Sequence, residues 1–232
     1  MVEGEIKLLG TWASVFVIKV KMILEQKGLR YEYIEQDVFN KSELLLKHNP
    51  IYKKVPVLIH GDRDICESLV ILQYIDENWP MTGPPVLPVD PYERAIARFW
   101  AGYIDDKLLN SFIGILKATT EEAKAEKIAD THAALELLEG AFKKCSAGKD
   151  FFGGDIIGYF DVTLGSCLAW IKAAERISVA KLLDEIKLPL LMEWAKRFHA
   201  TDCAKNTLPD VERVEKYARE LQVTRYNVVS AK

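Results

Sequence analysis

The sequence lacks several things at once, and each absence closes off a class of function. No Lys/Arg block breaks a balance of 31 basic and 34 acidic residues. The net charge of -3 therefore lacks the basic footprint needed by partners such as nucleic acid or an anionic membrane surface. No apolar run approaches the roughly 18 residues of a membrane span. The start, MVEGEIKLLG, carries acidic residues where a signal peptide has basic ones, so a cytosolic chain is expected. The four cysteines, Cys66, Cys145, Cys167 and Cys203, have neither CxxC nor CxxH spacing, which argues against a zinc site and against a disulfide framework. Reduced, mostly buried thiols are the expectation. GxGxxG after a strand, a GxxxxGK[ST] loop and HExxH are all missing, and no metal is expected. Asn40-Lys41-Ser42 fits a glycosylation pattern that means nothing without secretion, and Ser42 reads better as the N-cap of a helix over ELLLK.

What is present suits a globular chain of 232 residues, 49% hydrophobic and 28% charged, long enough for one large domain or two small ones. The first 80 residues alternate strand and helix signals. EIKLL (5–9) reads as a strand and SVFVIKVKMILEQKG (14–28) as a helix closed by Gly28. YEYIEQ (31–36) alternates as a strand, SELLLKH is a short helix, and VPVLIH (55–60) is a strand. GDRD (61–64) is a turn, ICE an edge and SLVILQYIDENW a helix. Crossover helices between strands predict an α/β unit, βαβ-α-ββα, with at least one parallel pair. WPMTGPPVLPVDP (79–91) has five prolines and a glycine in thirteen residues and holds neither helix nor sheet, so 81–91 is read as a linker. From Tyr92 to the end the pattern is helical in five stretches, 92–118, 121–144, 158–177, 188–200 and 209–221. The fold class is thus α/β followed by an all-α bundle over 92–232.

One stretch asks for more than a fold. In YKKVPVLIHGDRDICES a proline stands second in an apparent strand, where the missing N–H removes a ladder bond. By spacing alone Pro56 begins an edge strand, Glu67-Ser68 caps the next helix, Lys41 and Lys54 are solvated charges, and Ser14 is an N-cap.

Taken together these residues point elsewhere. KKVPVL followed by CES resembles the glutathione-binding segment of the cytosolic glutathione transferases. WASVFVIKVKMILEQKGLRYEYIEQD, NKSELLLKHNP and FDV are similar to their plant tau class. The resemblance covers nearly the whole chain and implies a thioredoxin-like domain over 1–80 and a helical domain with a hydrophobic acceptor site. It makes Pro56 a cis-proline that turns the Val55 backbone toward the cysteinyl residue of glutathione, bound like an added strand. It places Ser68 on the γ-glutamyl carboxylate at a helix N-terminus and Glu67 on its ammonium. Lys54 and Lys41 go to the glycyl carboxylate, and Ser14 to the thiolate. Phe16, Tyr103, Lys107, Ser111 and Trp170 match the family's hydrophobic site, although Phe16 and Trp170 equally suit ordinary core packing. Asp161 resembles the family's helix-capping aspartate, a folding element.

Two departures stand out. The family pattern has proline after the serine and arginine five positions on, where this chain has Val15 and Lys19. The implied activity is conjugation of glutathione, the co-substrate, to hydrophobic electrophilic small molecules, with peroxidase activity on organic hydroperoxides beside it, in a homodimer. The alternatives are a non-catalytic carrier of hydrophobic molecules and a thioltransferase. The latter is disfavoured because relatives of that type carry Cys where this chain has Ser14.

Overall fold

In a computed structural model, which describes residues 5–226, the chain divides into two units. One comprises residues 5–87 with 202–207 and the other residues 88–201 with 208–226. The first unit is built on β1 (Ile6–Gly10), α1 (Val15–Gln26), β2 (Glu32–Glu35), α2 (Glu43–His48), β3 (Val57–His60), β4 (Arg63–Cys66) and α3 (Ser68–Asn78). Its sheet has the order β2-β1-β3-β4, with β1 parallel to β2 and antiparallel to β3, and β3 antiparallel to β4. This is the βαβ-α-ββα arrangement with a parallel pair that the alternation of strand and helix signals predicts, and the thioredoxin-like fold that the resemblance implies. Leu9, Val57 and Ile59 cluster with Leu45 of α2 on one face of the sheet. Leu8 and Leu58, the alternate residues, are equally buried and point to the opposite face.

The hairpin differs from its sequence reading. His60 pairs with Arg63, so the turn is only Gly61-Asp62, with Gly61 at φ 62°, and β4 begins two residues earlier than expected. A two-residue turn of this kind needs positive φ. The charges of Arg63 and Asp64 disguised a strand that tolerates them because it lies at the sheet edge.

Helix α1 ends as its glycine predicts: Gly28 takes φ 63°, its N–H donates to Glu25 O, and Leu29 N–H donates to Leu24 O. The proline-rich stretch is not uniformly a linker. A buried Lys27–Asp76 ion pair of 2.8 Å joins the ends of α1 and α3, and Asp76 also accepts the N–H groups of Val86 and Leu87 at 3.0 Å each. Gly83 lies so close to α1 that a Cβ there would sit 2.7 Å from Gln26 O. These contacts draw residues up to 87 into the first unit.

The second unit comprises α4 (Pro91–Tyr103), a π-helical turn (Ile104–Leu108), α5 (Leu109–Lys117), α6 (Glu121–Cys145), α7 (Tyr159–Gly165), α8 (Leu168–Ser178), α9 (Pro189–Ala200) and α11 (Val211–Thr224). The short α10 (Asp202–Thr207) packs instead on α1 of the first unit, with Asn206 Nδ2 donating to Glu25 Oε1 at 2.6 Å. Six residues with no amphipathic stripe left no helical signal in the sequence. The stretch read as one helix over 158–177 is interrupted by a turn at 166–167 between α7 and α8, and the Phe198 ring of α9 comes within 2.0 Å of where a Cβ on Gly165 would lie. Asp161 is fully buried and accepts from the N–H groups of Phe152, Gly153 and Gly158 and from the Trp194 indole, at 2.8–2.9 Å. It is the helix-capping aspartate that the FDV resemblance implied.

Candidate active site

The sheet register brings three separate sequence segments to one end of the first unit. Leu9 opposes Val57, and Val57 opposes Cys66. The exit of β1 toward Ser14, the entry of β3 at Val55-Pro56 and the exit of β4 toward Glu67-Ser68 therefore share an edge. The Val55–Pro56 peptide is cis, and β3 starts only at Val57, so Val55 stands ahead of the ladder. Asn49, buried, shapes the loop before it: its Nδ2 donates to Lys54 O at 2.9 Å and its Oδ1 accepts from Tyr52 N–H at 3.1 Å. Asn49-Pro50 is a turn signal that the sequence reading passed over.

Ser14 has the extended backbone of an N-cap, φ -75° and ψ 120°, and its C=O accepts from Val17 and Ile18. Its hydroxyl, however, makes no cap bond. Ser42, Asp90, Thr120 and Asp210 all do make one, at α2, α4, α6 and α11. The half-buried Ser14 side chain thus stands at a helix N-terminus with its donor uncommitted among the described residues. Val15, where the family has proline, is buried, and Lys19 is completely buried with its ammonium 5.2 Å from the centre of the Phe16 ring. Nothing in the composition announced a lysine wholly inside this helix.

Helix α3 repeats the pattern. It opens at Ser68, buried, after Glu67, which holds φ 68° and ψ 115° and makes no cap bond with its side chain. A positive φ in a residue other than glycine costs on the order of 1–3 kcal/mol and clusters at functional sites. Lys54 and Lys41 are exposed and form no ion pair among the described residues. Cys66 precedes this cluster, but burial pushes its thiol up, and Asp64 and Glu67 add to the effect. It therefore stays protonated and is no rival nucleophile. None of the four cysteines forms a disulfide among the described residues; Cys167 and Cys203 are buried and the other two half-buried. No His/Cys/Asp/Glu cluster among the described residues is fit to hold a metal ion, and no helix among them is long and apolar enough to cross a membrane.

The acceptor candidates divide between the units. Phe16 is half-buried on α1, two residues from Ser14. Tyr103 closes α4, half-buried and edge-to-face with Trp100 at 5.4 Å; desolvation pushes its phenol up, partly offset by the nearby Lys107. Lys107 is exposed within the π turn, paired with Asp106 at 3.1 Å. Such turns are frequent at functional sites because they rotate the residues that follow, and no local sequence signal marks this one. Ser111 is buried and its hydroxyl already donates to Leu108 O at 2.8 Å. Trp170 is 6% exposed and packs edge-to-face on Tyr217, in the interior position that core packing gives it.

Residues 4–77 match the family model "Glutathione S-transferase, N-terminal domain" and residues 87–202 match "Glutathione S-transferase, C-terminal domain". A rice (Oryza sativa subsp. japonica) protein named "Probable glutathione S-transferase GSTU6" is 51% identical over 90% of each chain. The Arabidopsis thaliana "Glutathione S-transferase U15" is 48% identical over 94% of each. Among solved structures, a tau-class enzyme from mango (Mangifera indica) has 46% identity and a TM-score of 0.90, covering 94% of this chain and 98% of its own. Rice GST1, solved in complex with glutathione, has 35% identity and a TM-score of 0.88, covering 97% and 99%. With both halves matched by family models and such relatives spanning nearly its whole length, the chain belongs to the glutathione S-transferase family, in its plant tau class.

Proposed function

We propose that this chain conjugates glutathione to hydrophobic electrophiles and that Ser14 is the group that stabilises the attacking thiolate. The observation that carries the reading is the Ser14 hydroxyl, which sits at the N-terminus of α1 without performing the capping bond its position offers. Free thiols ionise near pH ~8.5, and a donor together with the positive end of a helix lowers that value. The sulfur, having released its proton to solvent, forms a C–S bond with the electrophilic carbon while the leaving group departs with its electron pair.

The rest of the peptide lies along the same edge. The Val55 N–H and C=O pair with the cysteinyl unit beside Pro56. Ser68 and the opening turn of α3 take the γ-glutamyl carboxylate, and Glu67 takes its ammonium. Lys54 and Lys41, both without an ionic partner among the described residues, meet the glycyl carboxylate. On the helical unit Tyr103, just before the π turn, and Lys107, within it, are contacts for the electrophile, with Ser111 and Trp170 buried behind them. Phe16 offers its ring beside Ser14. The exposed Ile51, Tyr52 and Val70 support a homodimer, since apolar side chains 81%, 58% and 51% exposed gain by being covered. Four cysteines with no disulfide among the described residues suit a cytosolic working place.

The test is Ser14→Ala, assayed for conjugation to an aryl halide as a function of pH. The hydroxyl makes no cap bond, so the variant keeps its melting temperature. Loss of one preorganised donor lowers kcat at neutral pH by roughly one to three decades and moves the pH profile upward. A profile that overlays that of the parent overturns the assignment.

A further inference from the structure

The turn that carries Ser14 is held from outside by a group that no feature of glutathione recognition explains. Glu35, the last residue of β2, opposes Gly10 at the end of β1 and reaches to the loop that follows. Its Oε1 accepts the Trp12 N–H at 3.0 Å and its Oε2 accepts the Tyr33 hydroxyl at 2.7 Å. Tyr33 is fixed in turn by Lys21 of α1, whose ammonium lies 3.3 Å from the ring centre. Burial, and then the Glu35 bond, push the Tyr33 phenol well up, so it remains a donor at every working pH.

The turn has little slack. Gln36 N–H donates to Gly10 O at 2.7 Å, and Ser14 N–H closes back on Thr11 O at 3.1 Å. A Cβ on Gly10 would lie 2.5 Å from Val17 Cγ1 and 3.1 Å from Tyr33 Cε2. A shift at Trp12 is therefore passed to Ser14, two residues on. An ordinary N-cap serine would be aimed by its own bond to the helix, whereas the Ser14 hydroxyl has none. Its direction must come from the backbone that bears it.

We infer that Glu35, clamped between Tyr33 and the Trp12 N–H, is a positioning residue that aims the Ser14 hydroxyl at the glutathione sulfur. This rests on Ser14 being the thiolate donor. Glu35 is itself exposed, so its removal opens no cavity; the cation it faces, Lys21, is half-buried and loses the one charge that offsets its desolvation, an effect the conservative Tyr33→Phe variant does not share. A purely structural role would thus show as a small loss of stability, and an aiming role as a change in the ionisation of bound glutathione.

The experiment compares Glu35→Gln and Tyr33→Phe with Ser14→Ala and with the double variant Ser14→Ala/Glu35→Gln. Three quantities are read: the ultraviolet absorbance of the bound glutathione thiolate against pH, kcat and KM for glutathione, and melting temperature. Gln keeps one acceptor but turns an NH2 toward one of the two donors, and Tyr33→Phe removes a single hydroxyl, so folding is preserved in at least the second variant. The expected result is a thiolate titration moved to higher pH and kcat at neutral pH lowered roughly three- to tenfold, the scale of one misaligned hydrogen bond, with KM for glutathione within about twofold. In the Ser14→Ala background, Glu35→Gln should add nothing further. The inference is overturned, with Ser14 left standing, if Ser14→Ala moves the titration but Glu35→Gln and Tyr33→Phe do not. It is overturned equally if the losses from Glu35→Gln and Ser14→Ala simply multiply. If Ser14→Ala itself moves nothing, the reading of Ser14 fails and the inference falls with it.

Discussion

Replacing Asp161 by asparagine keeps the shape of the side chain and changes what it can accept. Each carboxylate oxygen now serves two donors: Oδ1 takes Phe152 N–H and Trp194 Nε1–H, and Oδ2 takes Gly153 N–H and Gly158 N–H. Asparagine has one acceptor oxygen, so two of the four donors would face an NH2 group in a site with no exposure to water. At about 1–3 kcal/mol for each buried donor left unsatisfied, the loss is roughly 2–6 kcal/mol, a large part of a domain's stability.

The pH dependence supplies a second, independent check. Burial raises the Asp161 carboxyl from 3.8 to about 6, against the four hydrogen bonds that pull it down. The folded protein therefore holds this proton more tightly than the unfolded chain. The stability this group contributes is fully present below about pH 4 and is lost as pH rises through 6, a swing of about 3 kcal/mol. The asparagine variant has no such titration. Its deficit relative to the parent should thus be about 1 kcal/mol larger at pH 5 than at pH 7.5. Urea denaturation followed by tryptophan fluorescence at the two pH values measures both quantities, provided the slopes agree. Equal midpoints at neutral pH would refute the count of unsatisfied donors. A deficit that shrinks in acid would mean that the hydrogen bonds outweigh burial and the carboxyl titrates below its ordinary range.

Ser68→Ala removes a charge-assisted bond to the γ-glutamyl carboxylate and should weaken glutathione binding about tenfold in titration calorimetry; unchanged affinity removes Ser68 from the site. Ser14→Cys puts a thiol at the N-terminus of α1, where its pKa should fall, so a mixed disulfide with glutathione should be visible by mass spectrometry while conjugation drops and thiol exchange appears. Trp170→Ala should cost about 3–5 kcal/mol of stability because the indole is almost wholly buried; a change confined to KM for the electrophile, with stability intact, would place Trp170 in the acceptor site instead.

Much of this protein was decided by local pattern. The alternation of strand and helix signals to residue 80 sets the first unit, because side-chain period is enforced by burial on one face. Gly28 ends α1, Ser42 caps α2, and five prolines in thirteen residues end the first unit's pattern, since each acts through its own backbone conformation. The family resemblance carried by the segments around Pro56 and Glu67-Ser68 implied glutathione from the sequence.

What the linear order could not decide depends on partners distant in sequence. That Ser14 stands at an N-cap is local; that its hydroxyl stays uncommitted, and that Glu35 holds its turn through Trp12 across 23 positions, are properties of the packed sheet. The glycine at the end of α7 is packed against a phenylalanine 33 residues on, and α10 meets α1 through an amide that reaches Glu25 over 181 positions. Lys19 inside a helix, a π turn between Tyr103 and Ser111, and a buried carboxyl with four donors are likewise settled only when the elements close on one another. Burial and hydrogen-bond satisfaction are sums over neighbours in space, and those neighbours exist only in the fold.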